Sequence, residues 1–382
     1  MKKLINTILT IFACFSMSGC NGENNTNSDI IFSEIIEGSL NNRAIELYNR
    51  SDKEVNLNNY SLEIQLTNGN KTLQLEGSVL PCSTFTIVYS DADDELKGRA
   101  NQISEELMFN GSQPIKLKKG NKEIDILSTW DYQIDYCKDI TLVRKEEYLV
   151  GRKIFEEYDW IRYNKDNYKY LGTIKPSLTE EELLAGPKLT EEDLSRPYYI
   201  KDNNNNLIGG GGVMNVTVRS YVDGDTTCFN YDKTIIDAMG IKQGTKMRYQ
   251  NINTPESYAG NVQEFGLVAK AYTNDRLSSS FNIQVQSVLN GSLTETFDRL
   301  LGWVWVDGEL LNNTIVKMGY SNLEFNSIDI MTYKDVSYSN FLYNSELYAR
   351  KHGRGIHGEK DPYWDYENNR VKSNISGVNP NK

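Results

Sequence analysis

The sequence predicts a mainly β chain of two domains, a β-sandwich in its N-terminal half and a small α+β barrel with packed helices in its C-terminal half. Three observations predict this. At 382 residues the chain is long enough to bury two ordinary cores. From Ile30 to about Gly172, short apolar runs recur between turn signals at the spacing of a sandwich. From Val213 onward, such runs are interleaved with stretches of helical spacing.

In the first half, strands are expected over Ile31 to Ile36, Ala44 to Tyr48, Ser61 to Leu66, Thr72 to Leu75, Thr84 to Tyr89, Ile115 to Leu117 and Glu123 to Leu127. Asn68-Gly69 and Gly120-Asn121 fall between adjacent runs as tight hairpin turns. Residues 174–212 read as an acidic and glycine-rich linker, interrupted by Pro176, Pro187 and Pro197. Within it a Leu-Thr-Glu-Glu pattern occurs twice, at Leu178 and Leu189, and each threonine can cap a short acidic helical turn. Asn203 to Asn206 and Gly209 to Gly212 then read as a flexible hinge. In the second half, Val216 to Val222, Thr227 to Tyr231, Thr245 to Ile252, Phe281 to Val288 and Leu300 to Val306 read as strands. Helices are expected over Gln263 to Leu277, Leu310 to Met318 and Glu346 to His352. Few strands with helices outside fit a barrel of the oligonucleotide-binding (OB) type.

An apolar content of 39% and a charged content of 24% are those of ordinary globular protein. The net charge of −11 argues against tight, nonspecific nucleic-acid binding, which needs lysine and arginine at the contact surface. The stretch 213–365 carries 14 basic against 18 acidic residues, so no basic footprint is hidden there. An enzyme that turns over nucleic acid does not need such a footprint when a bound cation supplies local positive charge.

The first twenty residues form a leader: Lys2 and Lys3, an apolar run from Leu4 to Phe15, then small residues up to Cys20. The end of this leader resembles a bacterial lipoprotein signal with Cys20 as the lipidated residue. A plain secretory signal and a retained anchor helix are the alternatives. Cys82, Cys137 and Cys228 have neither metal-site spacing nor a disulfide framework; they read as buried small hydrophobes, with a Cys82–Cys137 bridge as the alternative. Asp91, Asp93 and Asp94 form an acidic loop that reads as solvated rather than as a calcium site. Glu46 reads as a surface charge, with a buried partner for Arg43 as the alternative.

The chemistry lies in the second half. Asp223 and Asp225 flank Gly224 and, read as one strand, lie on one face, where the glycine leaves room for an ion. Asn253, Thr254, Pro255 and Glu256 follow beside a turn, and Arg248 and Arg299 add two well-separated guanidinium groups. Hard oxygens of this kind suit calcium, and planar forks suit a phosphate whose charge grows as phosphorus becomes five-coordinate. His352 and His357 read as end-of-helix residues.

Two family resemblances accompany this reading. The run ArgAlaIleGluLeuTyrAsn and its continuation to Leu62, with Val79 to Val88, Phe109 to Leu117, Thr141 to Lys145 and Asp159 to Ile161, resembles the lamin-tail domain, an immunoglobulin-like sandwich, over residues 28–173. The ordered motifs ValAspGlyAspThr at 222–226, AsnThrProGlu at 253–256, the run from Arg299 to Gly308 and the run from Leu311 to Tyr320 resemble the thermonuclease, or staphylococcal nuclease, family over residues 213–360, leaving a tail at 361–382. That resemblance implies Asp225 as a calcium ligand, Thr254 as donor of a backbone carbonyl, Glu256 as the residue that orients or deprotonates the attacking water, and Arg248 and Arg299 as phosphate binders. Asn253 falls where the family often has a second aspartate ligand, and Asp223 supports the site without ligating. An amide at 253 brings no charge, so weaker calcium binding is expected, with Asn253→Asp tightening it.

The implied protein is a calcium-dependent endonuclease acting on DNA and RNA, monomeric, without an organic cofactor. It is held by its lipid at the cell or outer membrane and faces away from the cytoplasm. The alternative is a surface binding protein whose nuclease fold is weak or inactive; a structural envelope lipoprotein is a third reading that leaves the site unexplained.

Overall fold

The computed structural model describes residues 24–372 apart from 132, 177, 259, 296–298 and 325–329. The stretch expected to be a leader, with Cys20, and the residues beyond 372 lie outside the described residues. The chain divides into two units, Met1–Pro176 and Ser177–Lys382.

In the first unit, a four-stranded sheet runs in the order Lys122–Leu127, Ile115–Lys119, Tyr60–Leu66 and Gly69–Gln74. A six-stranded sheet runs in the order Trp160–Asn164, Ile140–Arg144, Ile30–Glu37, Arg43–Asn49, Thr84–Tyr89 and Gln102–Ser104. The first sheet turns Tyr60, Leu62 and Ile64 inward, alternating with half-exposed Ser61, Glu63 and Gln65. These meet Phe32, Ile45, Leu47, Leu142 and Trp160 of the second sheet in one core. Full burial of each such side chain contributes roughly 1.5–3 kcal/mol. All expected strands of this half are present, and Gly120 makes its turn at φ 55°.

The two central strands of the larger sheet are buried on both faces except for Arg43. A second small core, of Ile36, Ala44, Val88, Leu96 and Tyr168, covers the sheet's outer face. That cover corrects the expectation for Glu46, which is fully buried rather than on the surface. The acidic loop is explained by local capping: Asp93 accepts the Leu96 N–H at 2.8 Å to start the turn Asp94–Lys97. Cys137 and Cys228 are buried free thiols, so the Cys82–Cys137 bridge is not formed.

In the second unit, Val213–Asn215 and Thr217–Asp223 form one run interrupted at Val216. Its first part pairs with Ile283–Gln286 and its second with Thr226–Asn230. Between these partners the sheet continues through Leu300–Val306 and Lys246–Tyr249, so both ends of the sheet belong to the same run and the sheet closes on itself. Lys246–Tyr249 and Leu300–Val306 are parallel; the other pairings around the ring are antiparallel. Leu300–Val306 is buried along its whole length, and Trp303 and Trp305 meet Tyr338 edge-on at 5.4 and 5.8 Å.

Helices Gly266–Ser278 and Leu311–Lys317 lie close to where the periodicity placed them. The last helix is longer than expected, Tyr338–Lys351, because Ser337 accepts the Asn340 N–H and starts it early. His352 is the C-cap of that helix, as an end-of-helix residue. Helix Lys233–Met239, between Asp232 as N-cap and left-handed Gly240, was not expected.

The region read as a linker is built into this unit. Its two threonine-capped turns form as expected, Glu180–Ala185 and Glu191–Ser195, each with a reciprocal capping box. Tyr199–Lys201 then pairs with Leu207–Gly209. The glycine run is no hinge: the Gly209 N–H donates to the Gly291 carbonyl at 2.8 Å and the Gly211 N–H to Ser287 at 3.0 Å. A Cβ on Gly209 would stand 1.8 Å from the Val288 carbonyl, and one on Gly212 2.0 Å from that of Arg196. Close backbone approach, not flexibility, selects those glycines. The start of the tail is also packed, since buried Asp361 accepts the Phe265 N–H at 2.5 Å.

Candidate functional site

The site residues come from three neighbouring parts of the closed sheet. Strand Thr217–Asp223 ends at Asp223, and Gly224 and Asp225 make the turn into Thr226–Asn230. Asp223 therefore ends the strand and Asp225 lies in the turn that follows, rather than both along one strand face. The glycine is required by neighbours, not by an ion: a Cβ there would lie 2.8 Å from Thr254 Oγ1 and 2.9 Å from Ala269. Thr273 Oγ1 also donates to the Gly224 carbonyl at 2.6 Å, which ties the turn to helix Gly266–Ser278.

Register brings the arginines to the same turn. Thr226 pairs with Arg248, and Arg248 in turn pairs in parallel with Leu301, which places Arg299 at the start of the adjacent strand. Asn253 and Thr254 follow at the end of the short strand Ile252–Asn253.

Asp225 is the centre of the arrangement and is buried. Its Oδ2 accepts the Thr254 N–H at 2.7 Å and Thr254 Oγ1 at 3.1 Å; its Oδ1 accepts Thr226 Oγ1 at 2.9 Å. Arg248 Nη1 forms an ion pair with that same Oδ1. Arg248 Nη2 donates to Asn253 Oδ1 at 2.9 Å and pairs with Glu324 Oε2 at 3.3 Å. The guanidinium is thus surrounded by oxygens of Asp225, Asn253 and Glu324.

Asp223 holds the loop that carries Glu256: its Oδ1 accepts Ser257 Oγ at 2.6 Å and the Gly224 N–H at 2.8 Å. The Glu256 N–H donates to Gln263 Oε1 at 2.9 Å, and the Gln263 N–H returns a bond to the Glu256 carbonyl at 2.9 Å. Burial pushes the Glu256 carboxyl above the ordinary carboxylate range, as do the Asp223 charge and hydrogen bond and the Asp225 charge, while Arg248 opposes them. Arg299 Nε is paired with Glu295 Oε1 at 2.6 Å. That hydrogen bond raises the guanidinium above its usual range, with burial opposing and the charges of Asp225 and Glu256 adding to it.

Each of the seven residues singled out in the sequence, Asp223, Asp225, Arg248, Asn253, Thr254, Glu256 and Arg299, is therefore in contact or in electrostatic reach of at least one other of the set. Sequence reasoning missed Glu295, Glu324 and Ser257. Glu295 had a local signal, its spacing four residues before Arg299. Glu324 had none, because it reaches the site through the pairing of Asn322–Leu323 with Ile252–Asn253. Among the described residues, no group of three or more His, Cys, Asp or Glu side chains is arranged to hold a metal ion. The oxygens of Asp225, Asn253 and Glu324 meet at the Arg248 guanidinium; carboxylate and amide oxygens are donors of the kind calcium takes.

A family model for the lamin tail domain matches residues 23–132. The chain is accordingly mainly β, with an immunoglobulin-like lamin tail domain at its N-terminal end. The strands Ile140–Arg144 and Trp160–Asn164, beyond the matched residues, complete the larger sheet of that domain. No curated protein matches the chain. Among the described residues, no helix is long and apolar enough to cross a membrane.

Proposed function

We propose that the second unit is an OB-type barrel of the thermonuclease kind and that it hydrolyses phosphodiester bonds in DNA or RNA. The observation that carries this is the convergence of buried Asp225 with Arg248, Asn253 and Thr254, within electrostatic reach of Glu256 and Arg299. The ring order of the sheet, with a single parallel pair, supports the barrel. Asp225, Asn253 and the Thr254 carbonyl would hold calcium, which when bound neutralises charge on the phosphate.

The chain's own groups do the rest. The two guanidinium forks bind the scissile phosphate and stabilise the charge that grows on its equatorial oxygens. Glu256 accepts a proton as water adds to phosphorus; the new P–O bond forms as the bond to the leaving 5′ oxygen breaks, leaving a 3′-phosphate. Asp223 and Ser257 fix the loop that aims Glu256. Lipidation at Cys20 would anchor the mature chain at a membrane, with the lamin tail domain as a spacing or binding module.

A second reading, a nucleic-acid binder without turnover, draws on the ion pairs that already engage both arginines and on the uncharged Asn253. One assay separates the two. With the full chain, single-stranded DNA and calcium, Glu256→Gln is expected to lower the cleavage rate roughly 10²–10⁴-fold, the usual worth of a general base. Chelator should abolish cleavage in the unaltered protein. Cleavage indifferent to both the chelator and the substitution excludes this mechanism; binding without any cleavage favours the second reading.

A further inference from the structure

We propose that Glu324 supplies the second carboxylate of the calcium site, standing in from a neighbouring strand for the charge that Asn253 lacks. This rests on the nuclease reading above. Asn253 pairs directly with Asn322 in the antiparallel strand, and the Glu324 N–H donates to the Asn251 carbonyl at 3.0 Å, extending the pairing by one step. Side chains at 322 and 324 share a face, so Glu324 is the diagonal neighbour of Asn253 across the pair. The Asn253 amide oxygen and a Glu324 carboxylate oxygen then bond to one and the same nitrogen, Arg248 Nη2, at 2.9 and 3.3 Å.

Together with Asp225, these groups place two negative charges and one amide oxygen around one cationic centre. Two aspartates at 225 and 253 would carry the same formal charge. Calcium affinity is set largely by the number of charged oxygens and by the freedom of the site. The Glu324 side chain is 47% exposed, against 3% for Asp225. An ion pair whose carboxylate is that open to water holds weakly, so Glu324 can exchange the guanidinium for a divalent ion. The exchange also frees Arg248 Nη2 to bind phosphate, which couples metal loading to substrate binding.

Calcium binding to the full chain, measured by titration calorimetry, tests the assignment apart from activity. Glu324→Gln keeps the shape and removes the charge; it is expected to weaken binding roughly tenfold or more, while Asn253→Asp tightens it by a similar factor. The double variant Asn253→Asp with Glu324→Gln should return close to the starting affinity, since one charge replaces the other. If Asp225→Asn abolishes binding and Glu324→Gln leaves the Kd unchanged, Glu324 is no ligand and this proposal falls while the nuclease reading stands. If Glu324→Gln changes only the KM for DNA, it acts on Arg248 alone, and the proposal falls. If the unaltered chain binds no calcium at millimolar concentration, the calcium reading of the whole site falls with it.

Discussion

Arg248→Ala is expected to lower turnover of single-stranded DNA by roughly 10²–10³-fold and to destabilise the second unit at the same time. The catalytic loss follows from the role proposed for the guanidinium, a charged donor that stabilises the phosphate where donors act at reduced dielectric. The structural loss follows from Asp225. Its carboxylate is buried and its strongest neutralising partner is the Arg248 guanidinium. Removing one partner of a buried pair typically costs about 3–5 kcal/mol. Here Thr254 and Thr226 keep three hydrogen bonds to the carboxylate, so the loss should fall at the lower end of that range. Arg248→Lys separates the two effects. A lysine restores a positive charge beside Asp225 but has no planar fork to bridge Asp225, Asn253 and a phosphate. Its melting temperature should lie close to that of the unaltered protein while kcat stays low. A lysine variant with full kcat would overturn the phosphate-binding role given to Arg248.

Most of the fold was legible because two periodicities are strong in this chain. Tyr60, Leu62 and Ile64 alternate cleanly with polar residues, and the sheet they form has one wet face. The all-apolar Leu300–Val306 reads as a buried strand, and it is buried along its whole length in the closed sheet. The errors have a common cause: composition describes a segment and not what covers it. Gly209 to Gly212 look mobile in isolation, but the backbones of Val288, Arg196 and Pro197 press against them. Glu46 looks solvated until the turn Asp94–Lys97 and the segment of Tyr168 to Gly172 close over the sheet.

At the site, ordered motifs were enough to name seven residues that the fold brings together. They misjudged the local geometry of Gly224, whose neighbours arrive from distant sequence. They were silent on Glu324 for the same reason: a residue that enters by cross-strand pairing leaves no spacing to read. The helix Lys233–Met239 did carry its signals, an aspartate cap and a glycine stop, but seven residues are too few for periodicity to stand out.

The lamin tail domain is expected to be most stable in mildly acidic solution and to lose stability as the pH rises through neutrality. Glu34 and Glu46 face each other across adjacent strands, both fully buried. Glu46 Oε1 accepts Ser33 Oγ at 2.7 Å and its Oε2 accepts the Gly172 N–H at 2.5 Å, yet burial still pushes its carboxyl up to about 7. Burial raises Glu34 well above the ordinary range, and the Glu46 charge adds to this while Arg99 opposes it. Neither oxygen of Glu34 has a hydrogen-bond partner among the described residues. A carboxyl whose pKa is raised by folding stabilises the fold fully below its unfolded value, here 4.5, and that contribution is lost as pH climbs through the folded value.

Each pH unit in that window removes up to about 1.4 kcal/mol for one carboxyl, so Glu46 alone accounts for on the order of 3 kcal/mol between pH 4.5 and pH 8. On the acid side Asp166 acts in the opposite sense. Burial raises its carboxyl, but hydrogen bonds from Ser39 and Tyr168 more than offset this and hold it low, so its contribution is lost only in stronger acid. Glu46→Gln keeps an oxygen for Ser33 or Gly172 and cannot ionise; it should flatten the decline above pH 6 and raise the melting temperature at pH 8. Scanning calorimetry of the full chain from pH 4.5 to 8.5 reads this directly in the transition of the first unit. A transition temperature that holds level or rises across that window, or a Glu46→Gln variant that declines as steeply as the unaltered chain, would mean that the buried pair is not the proton reservoir of this domain.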